Sequence, residues 1–250
     1  CRIRLEILTG RRYNISICAI RKEPSMKKKS RLALTLALVL TALLAAGCAA
    51  KSGSAEFNPG RSSIFIKRDG SVMSASVEHT EQNYYSEDEL KGFLETELSA
   101  FNAAQGSESA AYNKEGAAKL PAALVSCEVK GADGNKTVKA VYEYSSADML
   151  MALAGQIKDE EIKLTALATD SVENRLGAGD LVGETFTDTR GKSVESGKVT
   201  SQSKLRAVSC QGPAVIQTEG KVLYISEGCK MVDSYTVETP EEGSSYIIFK

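Results

Sequence analysis

Apolar and polar residues alternate along two stretches of the chain, and an Asp-Gly pair interrupts each of them. The first stretch spans residues 64–77 around Asp69-Gly70, and the second spans 125–144 around Asp133-Gly134. Alternation places apolar side chains on one face of a strand, and glycine tolerates the positive φ of a tight turn. The pattern predicts two β-hairpins.

The spacing becomes helical in YYSEDELKGFLETELSAFN, where Ser86 and Glu89 form a capping box. One face of this segment would carry five apolar residues: Leu90, Phe93, Leu94, Leu98 and Phe101. We predict a long amphipathic helix from Glu87 to about Ala104. Two short helices are predicted further on, one over ADMLMALAG and one that ends near Gly177.

The last third of the chain reads mostly as strands. PAVIQTEGKVLYISEGC predicts a hairpin that turns at Glu219-Gly220, and YIIFK predicts a closing strand. We therefore predict an α+β fold of antiparallel β-hairpins with one long amphipathic helix and two short helices. The domain would span 63–250, and an internal boundary near 156–170 stays open.

Residues 26–47 have the layout of a secretory signal peptide. Three lysines and Arg31 precede an uncharged run from Leu32 to Gly47. Sixteen residues are short for a spanning helix, which needs about 20 to cross the hydrocarbon core. The stretch after it, 48–62, is small and polar and predicts a flexible tether.

The end of this run resembles the lipobox of bacterial lipoproteins, through Leu44, Ala45, Ala46, Gly47 and Cys48. The resemblance implies cleavage between Gly47 and Cys48 and lipidation of the Cys48 thiol. It implies a protein anchored by lipid to the cell membrane, on the extracytoplasmic face. Ala45 stands where leucine is commonest in that motif.

Residues 1–25 precede Met26, which itself directly precedes the lysine cluster. We interpret 1–25 as translated upstream sequence from a start that is set too early. A twin-arginine export signal at Arg11-Arg12 is the alternative, but nineteen residues separate Arg12 from the apolar run.

Charge divides the chain at the same point. Residues 1–47 carry ten of the 31 basic residues and two of the 32 acidic ones, so the remainder is acidic. An acidic surface repels phosphate backbones, which argues against a nucleic-acid partner.

Three cysteines remain if residues 1–25 and the anchor are set aside. Cys127 lies in an alternating stretch and is predicted to be a small buried residue. Cys210 and Cys229 flank the third predicted hairpin, which makes them the candidate disulfide pair.

Candidate chemistry is sparse in the sequence. His79 is the single histidine, beside Glu78 and Glu81, and could serve as a general base. We predict no catalytic residue, no metal ligand and no cofactor site. Tyr84 and Tyr85 are the candidate ligand-binding face.

The lipobox, the Asp69-Gly70 turn, YYSEDEL, GKVLYIS and YIIFK together resemble a group of lipoproteins from clostridia-like Gram-positive bacteria. The resemblance implies surface attachment and one shared domain of unknown function. We expect a non-catalytic binding or interaction module of the cell envelope, with an unknown protein, peptide or glycan partner. A cell-envelope hydrolase and an accessory subunit of a membrane complex are the alternatives.

Overall fold

The structure, a computed structural model, describes residues 54–81 and 86–250, which belong to one compact unit. Its helices are α1 (Glu87–Ala104), α2 (Ala147–Ile157), α3 (Val172–Gly177) and α4 (Ser196–Thr200). Its strands are β1 (Ser63–Ile66), β2 (Val72–Thr80), β3 (Ala122–Ala132), β4 (Asn135–Tyr144), β5 (Ala166–Ser171), β6 (Phe186–Asp188), β7 (Ser193–Val194), β8 (Arg206–Gln211), β9 (Val215–Thr218), β10 (Val222–Ser226), β11 (Lys230–Met231), β12 (Thr236–Glu238) and β13 (Ser244–Phe249).

These strands form two sheets, and the predicted α+β class is wrong. The first sheet has seven strands in the order β11-β12-β9-β1-β2-β4-β3, and the second has six in the order β5-β8-β13-β10-β6-β7. Most of the ordered structure is therefore β-sheet, with helices at its margins. The first sheet is also not wholly antiparallel, because β1 pairs with β9 in parallel.

The inner faces of the two sheets share one core. The first sheet contributes residues such as Ile66 and Ile216, and the second contributes Val208, Ile247 and Phe249, all at most 2% exposed. A smaller cluster covers the opposite face of the second sheet, with Phe186 and Ile248 at its centre. The strand YIIFK is central to the second sheet, so alternate residues of β13 enter each cluster.

Helix α1 has the predicted bounds, and the Ser86 hydroxyl accepts the predicted capping bond from the Glu89 amide. The predicted amphipathic face along its whole length is wrong. Only Leu98, Phe101 and Asn102 are buried, all in the last two turns, while Phe93 is 40% exposed. In the first half of the helix Leu90 and Leu94 are only partly buried, where they pack against the margin of the shared core. Three shorter helices are present in the described residues, instead of the predicted two.

Helix α1 and the loop after it cover the outer edge of β3. The Val129 amide donates to Glu87 Oε2 at 3.0 Å, and the Leu124 amide donates to the Ala111 carbonyl at 2.7 Å. Unpaired edge amides are templates for pairing with another chain, so these contacts protect the longest strand of the sheet.

Two of the three predicted hairpins are confirmed and the third is wrong. β1–β2 turns at Asp69-Gly70 and β3–β4 at Asp133-Gly134, with both glycines at positive φ. β9 and β10 do not pair, because they belong to different sheets. Gly220 is needed for space, since a Cβ there would lie 1.7 Å from the Lys250 carbonyl oxygen.

Candidate functional site

A cluster of charged side chains surrounds the β1–β2 turn. Lys67 Nζ lies 2.6 Å from Glu143 Oε1, and Lys119 Nζ lies 3.3 Å from the same oxygen. Asn113 Nδ2 donates to the other carboxylate oxygen of Glu143 at 3.0 Å. The side chain of Glu143 is 17% exposed, so it joins β1, β4 and the loop before β3 through a largely shielded set of bonds.

The carboxylates of this cluster are held in their charged form. Burial of Glu143 by itself favours the neutral acid, but the hydrogen bond and charge of Lys67 and the charge of Lys119 outweigh it and lower its pKa. Asp69 also has a lowered pKa, because the hydrogen bonds from Ser71 and the two nearby lysines outweigh its burial.

Arg68 connects this turn to the start of the described chain. Its Nη1 donates to the Ser54 hydroxyl at 2.7 Å, and its Nε donates to the Lys250 carbonyl at 2.8 Å. Its backbone amide donates to Glu219 Oε2 at 2.8 Å. We call this end of the molecule the base: Lys67–Ser71, Lys119, Glu143, Glu219–Lys221 and Lys250.

Arg206 of β8 reaches the base from the second sheet. A Cβ on Gly70 would lie 3.2 Å from its Nη2, while its Nη1 is 3.7 Å from Asp170 Oδ1. Its Nε is buried and has no hydrogen-bond partner among the described residues. The base therefore includes contacts between residues of both sheets.

Residues 54–62, the described part of the predicted tether, lie across the outer face of the first sheet. The Ala55 amide donates to the Glu219 carbonyl at 2.8 Å, and the ring of Phe57 stacks on Phe65 at 5.2 Å between centroids. Arg61 pairs with Glu238 at 2.7 Å. Ser54 is consequently fixed at the base.

At the end of the first sheet opposite the base, strands β2, β4 and β3 extend beyond the end of β1. β1 reaches only as far as Ala75 on β2, whereas β2 and β4 stay paired up to Thr80 and Lys136. We call this projecting part the arm: residues 76–80, 127–132 and 135–140, with the turn between β3 and β4. At about 3.3 Å per residue, Thr80 lies roughly 26 Å along β2 from Val72.

One face of the arm carries a row of polar side chains. His79, Thr137 and Lys130 are direct cross-strand partners, so their side chains share the face away from the shared core. Thr137 Oγ1 lies 3.0 Å from His79 Nδ1, and His79 and Lys130 are exposed. In the next row, Glu128 lies opposite Lys139 and pairs with Lys130 at 2.7 Å.

Searches of protein-family models, curated proteins and solved structures each found no match to the chain.

The structure does not describe four of the predicted site residues. Gly47, Cys48, Tyr84 and Tyr85 lie outside residues 54–81 and 86–250, as do the predicted signal peptide and residues 1–25. The lipidation site and the tyrosine face stay predictions.

The predicted cysteine pair is present as free thiols. Cys210 is buried on β8, and Cys229 is half-buried in the turn after β10, with its Sγ 3.6 Å from Ser226 Oγ. Burial, with a smaller contribution from Cys229, raises the pKa of Cys210 to about 12, which keeps this thiol protonated at neutral pH. Cys127 is buried, as predicted.

Two cavities lie near the sheets, one small and one open. One of about 30 Å³ lies between the start of β1, the loop at 161–164 and the residues from Pro213 to Val215, with room for a water molecule or two. An open depression of about 300 Å³ is lined by Ser201–Leu205 alone. Within the described ranges, no three His, Cys, Asp or Glu side chains converge as a metal site.

None of the helices in residues 54–81 and 86–250 is long and apolar enough to span a bilayer.

The Lys67–Glu143–Lys119 cluster was missed by sequence reasoning. Lys67 and Glu143 are 76 positions apart, and only the pairing of β1 with β2 and of β2 with β4 brings them together. No local motif connects them.

Proposed function

We propose that the chain is a lipid-anchored extracytoplasmic module of the cell envelope, which binds a protein, peptide or glycan partner with its arm. The signal-like run, the lipobox and Cys48 support the anchor. The observation that carries the binding role is the position of the arm, which projects from the end of the first sheet opposite Ser54. A chain tethered at Cys48 would present the arm away from its attachment point.

The outer face of the arm suits recognition more than packing. Exposed or half-exposed side chains of both charges and a histidine stand on three paired strands, which hold their spacing. A polar face on a rigid sheet can bind without first ordering itself, which lowers the entropic cost of association. The arrangement favours a polar partner surface.

The anchor is tested by labelling cells that express the lipoprotein with an alkyne fatty acid. We expect the protein to take up the label, Cys48→Ala to lose it, and Cys229→Ala to keep it. Two acyl chains, at about 0.8 kcal/mol per buried CH₂, anchor a protein stably. Label that persists in Cys48→Ala contradicts the lipidation of this residue.

The arm is tested by site-specific photocrosslinking in intact cells. A benzophenone amino acid at Thr137 should give a discrete adduct, which His79→Ala with Lys130→Ala removes. The matched position is Val182, which is 66% exposed and lies in the segment that packs on the second sheet. Equal adducts from both positions, or an adduct that survives the double substitution, would contradict recognition by the arm. Membrane-complex subunits in the adduct would indicate an accessory role.

A further inference from the structure

We propose that the base of the domain rests on the anionic headgroups of the membrane that holds its anchor. This inference depends on the proposed lipidation of Cys48. It adds which end of the domain faces the bilayer and which side chains meet it.

The first argument is the reach of the chain between anchor and domain. Ser54 is held at the base by Arg68, and the Ala55 amide is bonded to the Glu219 carbonyl. Only residues 49–53 separate Cys48 from Ser54, and a fully extended chain covers at most about 3.6 Å per residue. The base would thus stay within roughly 20 Å of the headgroups, whereas the arm lies a further strand length away.

The second argument is the charge of the base. Residues 54–250 contain 20 basic and 30 acidic side chains. The base has five of these cations and only three of the carboxylates: Lys67, Arg68, Lys119, Lys221 and Lys250 against Asp69, Glu143 and Glu219. Arg206 and Asp170 beside it compensate each other. The base is therefore a positive end on an otherwise acidic domain.

The cations that would meet the lipid are accessible. The side chain of Lys119 is 46% exposed, and Lys221 and Lys250 are exposed and have no ion-pair partner in the described part of the chain. An anionic surface attracts basic groups within a Debye length and repels acidic ones. The attraction turns the base toward the bilayer. The arm carries no excess of cations to compete with it, because three lysines balance three carboxylates there: Lys130, Lys136 and Lys139 against Glu78, Glu128 and Asp133.

The test is lysine acetylation of the acylated, full lipoprotein, quantified at each lysine by mass spectrometry. The protein is reconstituted in vesicles of phosphatidylcholine alone, or of phosphatidylcholine mixed equally with phosphatidylglycerol. We expect the anionic vesicles to slow acetylation of Lys119, Lys221 and Lys250 about fivefold, and salt at about 0.5 M to reverse this. Lys130 and Lys139 on the arm are the internal controls, with unchanged rates.

A charge-reversed variant provides the matched comparison. Lys221→Glu with Lys250→Glu should abolish the slower acetylation of Lys119, whereas Lys130→Glu on the arm should leave it intact. Equal rates at the base in both vesicle types, or greater protection of Lys130, would overturn the inference while leaving the anchor in place. If instead the lipoprotein purified from its own membrane carries no acyl groups and binds neither kind of vesicle, the proposed lipid anchor, and with it the proposed function, is contradicted.

Discussion

The base and the arm lie at the two ends of the first sheet, and they differ in what surrounds its strands. At the base, β1 and β9 lie beside β2 and β4, and the inner face packs on the second sheet, with Val72 fully buried. In the arm only β2, β4 and β3 continue, and most of their residues are exposed or half-exposed. The same strands therefore pack into the core at one end and form an exposed surface at the other.

The difference in burial between the two ends of β2 arises from the residues that cover the strand. The alternation of its side chains between the two faces is the same along its whole length. β2 reads VMSASVEHT, and alternate residues share a face from Val72 to Thr80. Yet Val72 and Ala75 are buried, whereas Val77 and Glu78 are only half-buried. The alternation in the sequence identifies which residues share a face of the strand. Whether that face is buried depends on the residues that pack against it in the folded structure.

The largest effect should come from one substitution made at the two ends of α1. Phe101, in the last turn of α1, is fully buried, and Phe93, in the first half of the helix, is 40% exposed. We expect Phe101→Ala to lower the free energy of unfolding by about 4 kcal/mol, and Phe93→Ala by less than about 1 kcal/mol. Urea denaturation measures both. Equal losses would contradict the division of this helix into a fully buried half and a partly buried half.

A buried polar contact gives the second contrast. Asn102 donates to the carbonyls of Ala110 and Ala122 and accepts from the Ala122 amide, all at 2.7–3.0 Å. Asn102→Ala leaves these groups unsatisfied, and we expect a loss of about 3 kcal/mol. Thr137→Ala removes the exposed contact to His79 and should cost less than about 0.5 kcal/mol. A similar cost at both sites, by thermal or urea unfolding, would refute the contrast.

The features of this fold that could be predicted are those that depend on residues close together in the sequence. Asp69-Gly70 and Asp133-Gly134 were predicted as turns because the chemistry of a tight turn lies within neighbouring residues. Glu219-Gly220 was predicted in the same way but makes no hairpin, because β9 and β10 join different sheets. Glycine is needed there to make room for Lys250, thirty residues away. The α+β assignment failed for the same reason, since the pairing of short strands into two sheets is a long-range property. The Lys67–Glu143 contact could not be read from the sequence at all.

Alanine substitutions at the two glycines of the arm should destabilise the arm by different amounts. A Cβ on Gly131 would lie 2.2 Å from the Asn135 carbonyl oxygen, whereas one on Gly134 meets nothing within 4 Å. Both have positive φ, so each alanine costs about 1 kcal/mol, and Gly131→Ala should reach about 2 kcal/mol. Hydrogen exchange should show faster opening of the arm amides alone. Equal acceleration in β13 would mean that the arm opens only together with the core of the second sheet.

The smallest effect concerns the ion pairs and depends on pH. The pKa of Glu143 is held below its ordinary value of 4.5, since Lys67 and Lys119 outweigh its burial. The stability that this provides is present above about pH 4.5 and is lost as the pH falls through the lowered value. We expect Glu143→Gln to cost about 1 kcal/mol at neutral pH, with wild type and variant converging in acid.

Glu128 on the arm is the matched control for this titration. Its hydrogen bond and ion pair with Lys130 also lower its pKa, but both side chains face solvent. Salt screens exposed charges far more than shielded ones, so high salt should remove any difference between wild type and Glu128→Gln. The Glu143→Gln difference should persist in high salt and disappear only in acid. A Glu143→Gln difference that salt removes would show that the base cluster is as open to solvent as the arm.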